Sequence, residues 1–531
     1  MSAGSETVDG AYVEPPPPLR PDVGPNEAIG DDDGGRPSVR EGFSFAATSF
    51  VANAIVGMLS AIITARLYGV SVVGEYAIAT APWLTLIQFS SVAEQVALTR
   101  AVSVLPARHR MVAGLFAPIL LFSVLLTFVA GIPILLLSAA AMRGPIHQPH
   151  LVLPAVVIVI GYVVLDNTSW NIDAVLSGFR AGRELFYARL TFAGSFLGCA
   201  IVAATVSRTI WSMTVATVAS FAIALAVRLV LLRRFSTFLP DRASFREGMR
   251  RLPGMLGFAV RIVGGRIAGG LNSQADTWIL GSMASVSVVG AYSRASGLAV
   301  RLNDSGYRIN EILFPTLVQR YDAGDRDGFD TLLADGIRLT LLPLALIVGA
   351  GGGAAVGILG LFGSGFEKGA GALAFLLVSM ALTVIAMIQG NALIAVGRPT
   401  ASTMVAVVRL IVSVSLMFPL GHLYGASGVA GALCIGCVVV AFQGAWVLAR
   451  VVLLPATNRA LLRTIGVVLV AYVVAFAAAR GIDVELPGAL GTLAALTGGV
   501  LGGAPVLLLR GGMRPEEWRG ALRRVRARRR R

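Results

Sequence analysis

Ser71-Val72-Val73-Gly74-Glu75-Tyr76-Ala77 returns, little changed, as Ser287-Val288-Val289-Gly290-Ala291-Tyr292-Ser293, a shift of 216 residues. Each copy lies between two long apolar runs. A hairpin echoed in this way predicts two homologous halves. If the loop recurs six spans later, both copies face the same side, and the repeat is parallel about an axis along the membrane normal. Two such halves predict a transporter, whose substrate site lies where the repeats meet near the bilayer midplane.

The composition supports a membrane setting. Of 531 residues, 56% are hydrophobic and 14% charged, where a soluble domain carries roughly 25% charged residues. Mean hydropathy is +0.77. The net charge of +15 does not indicate a nucleic-acid partner, because the arginines cluster in the loops between apolar runs and in the C-terminal tail. Cys434-Ile435-Gly436-Cys437 has metal-ligand spacing but no second pair, so it reads as packing. No cofactor and no metal site is expected. No loop carries a catalytic set, so the chain does not read as an enzyme.

Working outward from the echoed loops predicts an all-α polytopic membrane protein with about fourteen spans. Residues 1–40, rich in Pro, Gly and Asp, read as a disordered cytoplasmic tail. Residues 41–233 form an N-lobe of six spans, 234–252 a basic cytoplasmic linker, and 253–452 a C-lobe of six spans. Two further spans fill 453–510, and 511–531 form a basic cytoplasmic tail. Arginines concentrate in the loops after every second span. Arg100, Arg108 and Arg110 follow span 2, and Arg233, Arg234, Arg242 and Arg246 follow span 6. That bias places both termini in the cytoplasm, with the protein in a bacterial cytoplasmic membrane. The arginines from Arg523 to Arg531 read as a contact for anionic lipids.

Charges at bilayer depth cost about 2.5–3.5 kcal/mol each on insertion scales, so they face a cavity or a partner. They gather in spans 7 and 8. Arg261, Gly265, Arg266, Gly269, Asn272, Ser273 and Asp276 share one face of span 7. Arg294, Arg301 and Arg308 step by seven along span 8, with Asp304 beside them. One reading is a salt-bridge network, Arg266 or Arg301 with Asp276 or Asp304. The other is a cationic cavity for an anion, since arginine's planar fork suits bidentate phosphate contact. Arg266 and Arg301 fall nearest mid-membrane and are expected to hold phosphates, with Arg261 and Arg308 as a cytoplasmic funnel. The first half lacks this stripe. It carries Arg66 at the end of span 1, Glu75 and Glu94 in span 2, and Asp166, Trp170, Asp173 and Ser177 on one face of span 4. Asp166, Asp173, Glu75 and Asp276 are candidates for coupling to a proton or sodium ion, or for pairing with Arg66 or Arg189.

Further stretches carry a resemblance. Ala65-Arg66-Leu67-Tyr68-Gly69, Ala275-Asp276-Thr277-Trp278-Ile279-Leu280-Gly281 and Ile312-Leu313-Phe314-Pro315-Thr316-Leu317 are three. Leu361-Phe362-Gly363 and Tyr424-Gly425-Ala426-Ser427-Gly428-Val429-Ala430-Gly431-Ala432 are two more. With the echoed loops, they make residues 41 to about 510 resemble the polysaccharide-exporter (Wzx-like) branch of the multidrug/oligosaccharidyl-lipid/polysaccharide (MOP) flippase superfamily. The resemblance implies a V-shaped transporter moving a polyprenyl-diphosphate-linked glycan between leaflets by alternating access. It also implies cavity arginines that bind the diphosphate, here Arg266 and Arg301 with Arg261, Arg294, Arg308 and Arg66. Glycosyltransferases or a polysaccharide polymerase would be its partners. The absence of basic residues from span 2, which leaves Arg66 nearly alone in place of an arginine stripe, departs from the lipid II flippases. Two other readings stand beside it: a cation-coupled multidrug exporter of the same superfamily, and a non-transporting scaffold for envelope assembly.

Overall fold

The computed structural model describes residues 39–90, 94–103, 105–106, 108–236, 240–451 and 455–509, and every regular element among them is helical. The two tails read from the sequence lie almost wholly outside the described residues. In the first repeat the order is α1 (Val39–Ser90), α2 (Glu94–Ser103), α3 (Arg110–Arg143), α4 (Val152–Gly161), α5 (Asn167–Gly178), α6 (Gly182–Val206) and α7 (Ile210–Leu232). The second repeat contains α8 (Arg242–Met283), α9 (Val286–Asp322), α10 (Arg326–Gly353), α11 (Ala355–Gly360), α12 (Ala370–Ala395) and α13 (Pro399–Val451). Two more helices follow, α14 (Pro455–Glu485) and α15 (Ala489–Leu509), which pack on each other and on α10.

Two of these elements are double. α1 turns at Gly69 (φ 78°, ψ 168°) and α13 at Gly425 (φ 58°, ψ −135°). Both are backbone conformations that a Cβ disfavours, so glycine sets the bend. Among the described residues ten stretches are long and apolar enough to cross a membrane, where the sequence led us to expect fourteen. Two of the ten, Ile55–Gln88 and Thr400–Arg450, run straight through these bends. α8 and α9, parts of which lie outside the described side chains, are not among the ten. The protein is a multi-pass membrane protein.

The repeat is visible in how the helices pair. α1 packs against α6, and α8, which follows the same order in the second half, packs against α13. Between α4 and α5 a π-helical turn, Tyr162–Asp166, inserts one residue and rotates the face that α5 presents.

The basic linker is short as a loop. From Arg242 it is already helix, continuous with α8. Asp241 caps that helix: its carboxyl accepts the Ser244 amide at 3.3 Å and the Ser244 hydroxyl. These bonds hold the Asp241 carboxyl below the usual carboxylate range. The first turns of α8 lie on the start of α3, where Gly248 meets the Gly114 backbone. Arg108 adds a bond from its amide to the Phe235 carbonyl, 2.7 Å. We call this end of the molecule the linker side and the opposite end the hairpin side.

The two repeats are joined by one apolar core. Ala65, Val73 and Ile78 of α1 pack in the same cluster as Ile279, Leu280, Val289, Ala291 and Tyr292 of α8 and α9, all buried.

Candidate functional site

The echoed loops touch each other. A Cβ placed on Gly74 would overlap the backbone carbonyl of Val286, and one placed on Gly290 would overlap the carbonyl of Val70. Val70 and Val286 occupy equivalent positions of the repeat, as do Gly74 and Gly290. The contact is therefore reciprocal, the signature of a two-fold relation between like surfaces. Glycine is required at both places, because any side chain would keep the two backbones apart.

The echoed tyrosines then diverge. Tyr76 shares a 2.8 Å hydrogen bond with the Thr217 hydroxyl on α7, within its own repeat. Tyr292 donates to Asp276 on α8 at 2.7 Å.

Arg66 closes the same side. Its Nε donates to the Leu361 carbonyl at 2.9 Å, a bond from the first repeat to the α11–α12 connection of the second. Arg66 is exposed at the hairpin end rather than at membrane depth.

Below the hairpins, the arginine stripe of α9 faces α1. Arg294 reaches the Thr64 hydroxyl at 3.4 Å. Seven residues on, the Arg301 guanidinium lies over Gly57, with Nη2 2.8 Å from where a Cβ would stand. Thr64 and Gly57 are themselves seven apart, so the two helices run antiparallel in register. At 1.5 Å per residue Arg294 lies about 12 Å and Arg301 about 22 Å below the start of α9. The Nε of Arg294 is buried without a hydrogen-bond partner. Among the described residues neither arginine has a carboxylate within ion-pair distance. The side chains of Arg261, Arg266 and Arg308 lie outside the described residues, as does that of Asp304.

Each of the four carboxylates singled out for ion coupling has a specific partner. Asp276 accepts from the Tyr292 hydroxyl and from the Thr277 amide, both at 2.7 Å, and among the described residues it forms no ion pair with Arg294 or Arg301. Asp166 accepts from the Trp170 indole at 3.1 Å, one turn along the face read from the sequence. Glu75 lies 3.6 Å from His150, so the α3–α4 connection meets the first hairpin. Asp173 receives a fork from Arg228 of α7, 2.8 Å from Nε and 3.1 Å from Nη2. Neither Arg66 nor Arg189 is its partner.

Arg228, Thr64 and Gly57 are the residues that sequence reasoning passed over. Arg228 sits five residues from the basic end of its span and reads there as a flanking charge. Thr64 and Gly57 carry no chemical signal of their own.

With this geometry in hand, comparison with known proteins gives a consistent picture. The family model described as "Polysaccharide biosynthesis protein" matches residues 39–320, more than half of the chain. No curated protein matches the sequence. Among solved structures, "Lipid II flippase MurJ, inward closed conformation" shares 15% identity over 88% of this chain and 99% of its own, with a TM-score of 0.63. A multidrug resistance MATE family transporter of the MOP superfamily, in an inward-facing conformation, shares 17% identity over 81% of this chain and 96% of its own, with a TM-score of 0.47. A MOP superfamily transporter from Pyrococcus furiosus shares 17% over 79% and 93%, also at 0.47. The first of these shows the fold. The chain belongs to the polysaccharide biosynthesis protein family.

Proposed function

We propose that this protein moves a polyprenyl-diphosphate-linked oligosaccharide across the bacterial cytoplasmic membrane by exposing a site between its two repeats to one side at a time. The observation that carries this reading is the pair Arg294 and Arg301. Both sit between the repeats, and no described carboxylate neutralises them. A diphosphate supplies oxygens in the geometry that guanidinium forks match, and its charge is what such a pair lacks. Arg261 and Arg266 on α8 and Arg308 on α9 are assigned by the sequence pattern to the same diphosphate site. The closed hairpin contact fits a form that loads from the linker side, and the arginine bias of the loops makes that side cytoplasmic. Glycosyltransferases that build the lipid-linked glycan, or a polymerase that consumes it, would act before and after this step. The arginine-rich end would rest on anionic lipid. The reading assigns transport and no covalent chemistry.

The test is genetic. Arg301→Ala, expressed in a strain lacking the native gene, is expected to insert in the membrane yet abolish display of the surface glycan. Arg301→Lys, which keeps the charge but loses the fork, should restore only part of it. Normal glycan display in the alanine variant would overturn the proposal. A changed drug susceptibility without loss of glycan would point to the multidrug branch instead.

A further inference from the structure

We infer that a basic platform on the linker side, built from Arg108, Arg110, Arg180, Arg233, Arg242 and Arg246, docks the acidic segment 22–33 of this chain's own N-terminal region. None of these arginines belongs to the stripe of α9, and the inference does not depend on the flippase reading.

Three connections meet to make the platform. The stretch between α2 and α3 is tied to the one between α7 and α8. There the Arg108 amide donates to the Phe235 carbonyl at 2.7 Å, and its Nε donates to the Arg234 carbonyl at 3.3 Å. The turn after α5 joins them through Phe179, whose ring stacks on that of Phe235 with centroids 5.4 Å apart. The first turns of α8 lie against α3, with Ser244 on Gly114, and Asp241, next to Arg242, feels the charge of Arg110. All six arginines are exposed. Arg108 (φ 63°) and Arg180 (φ 56°) are in the left-handed region, where a Cβ is disfavoured and glycine is the usual residue. Arg180 stands just past α5, at the place where helices commonly end on glycine. Its turn is closed by the Ala181 amide on the Leu176 carbonyl, 3.0 Å away. Arginine at both points puts charge on this face where glycine would suit the backbone better.

The carboxylates beside the platform are already engaged. Asp241 caps α8 through Ser244, Glu184 pairs with Arg234 at 3.4 Å, and Glu247 pairs with Arg251 at 2.8 Å. Among the described residues the six arginines have no carboxylate within ion-pair distance. Like charges gathered on one face repel one another and attract an anionic partner. The sequence supplies that partner on a tether. Asp22, Glu27, Asp31, Asp32 and Asp33 fall within 22–33, which contains no basic residue. This segment lies outside the described residues. α1 begins at Val39 and runs from the linker side to the hairpin side, so the segment enters on the platform's side. At about 3.3 Å per extended residue the chain reaches roughly 20 Å from Val39 to Asp33 and roughly 56 Å to Asp22. A short flexible tether gives an effective concentration of roughly millimolar, which a competing acidic peptide or anionic lipid must exceed. Docked there, the segment neutralises the face that any other anion on this side would meet.

The test is a spin-label distance in the full-length protein in nanodiscs, with Cys199, Cys434 and Cys437 replaced by serine. One label is placed at Gly30→Cys, beside the aspartates, and the other at Ala243→Cys, exposed at the start of α8. The expected result is a short-distance population at about 0.01 M NaCl that is lost at about 1 M, as the Debye length falls from about 30 to about 3 Å. Replacing Asp31, Asp32 and Asp33 together by asparagine should abolish it, and so should Arg108→Gln with Arg242→Gln and Arg246→Gln. If the arginine variant does not fold, the aspartate variant decides. Deleting 511–531, or exchanging phosphatidylcholine for phosphatidylglycerol, should leave it in place. Absence of a short-distance population overturns the inference, as does one that ignores salt and survives both charge variants. Loss on deleting 511–531 would assign the segment to the other tail, and loss in phosphatidylglycerol would assign the platform to lipid; either result overturns it too.

Discussion

Gly74→Ala and Gly290→Ala are each expected to hold the hairpin side open. At either position the new methyl group meets a backbone carbonyl of the other repeat, that of Val286 or of Val70. A backbone cannot rotate away as a side chain would, so the hairpins must separate. Overpacking of this kind costs about 1–3 kcal/mol, which moves a two-state equilibrium by roughly 5- to 150-fold. The helices themselves should be unharmed, since alanine favours a helix more than glycine does. The measurement is thiol labelling at Ile78→Cys, a position buried beneath the hairpins and 1% exposed, in a protein whose Cys199, Cys434 and Cys437 are replaced by serine. A water-soluble maleimide should modify the introduced thiol slowly in the parent and many-fold faster in either glycine variant. Because both glycines guard one contact, the double variant should label little faster than either single one. Equal labelling in parent and variants would show that the contact does not control access.

The echo that led to this contact was legible in the sequence, and its consequence was not. Similarity between residues 71–77 and 287–293 announces a repeat. That the copies press backbone to backbone depends on how two six-helix units are set together, which no local pattern encodes. The arginine stripe was read from its spacing of seven, but its counterpart on α1 is a threonine and a glycine, the residue types least able to signal a partner. The pairing of Asp173 was misread for a related reason. A helical wheel groups it with Asp166 and Ser177 on its own span, whereas its partner Arg228 is 55 residues away. Gly69 and Gly425 bend α1 and α13 between runs that the sequence reading counted as separate spans.

Asp173→Ala is expected to destabilise the protein by about 3–5 kcal/mol, the cost of leaving a buried charge without its partner. The Arg228 side chain is only 7% exposed and sits in a two-bond fork with a carboxylate that is 17% exposed. Its remaining contact to the Ala224 carbonyl, 3.5 Å away, is too long to compensate. The yield of monodisperse protein after detergent extraction, together with its thermal melt, reads the loss. A double replacement separates the two roles open to Asp173. Asp173→Leu with Arg228→Met removes both charges and fills the space with apolar atoms, a change that is often neutral or stabilising by about 1–4 kcal/mol. If the pair only fastens α5 to α7, the double variant should recover the stability lost in Asp173→Ala and still display the surface glycan. If Asp173 carries a coupling ion, the double variant should fold and fail to export. The fork geometry favours the first outcome, because an arginine held this closely competes with any cation for the same two oxygens.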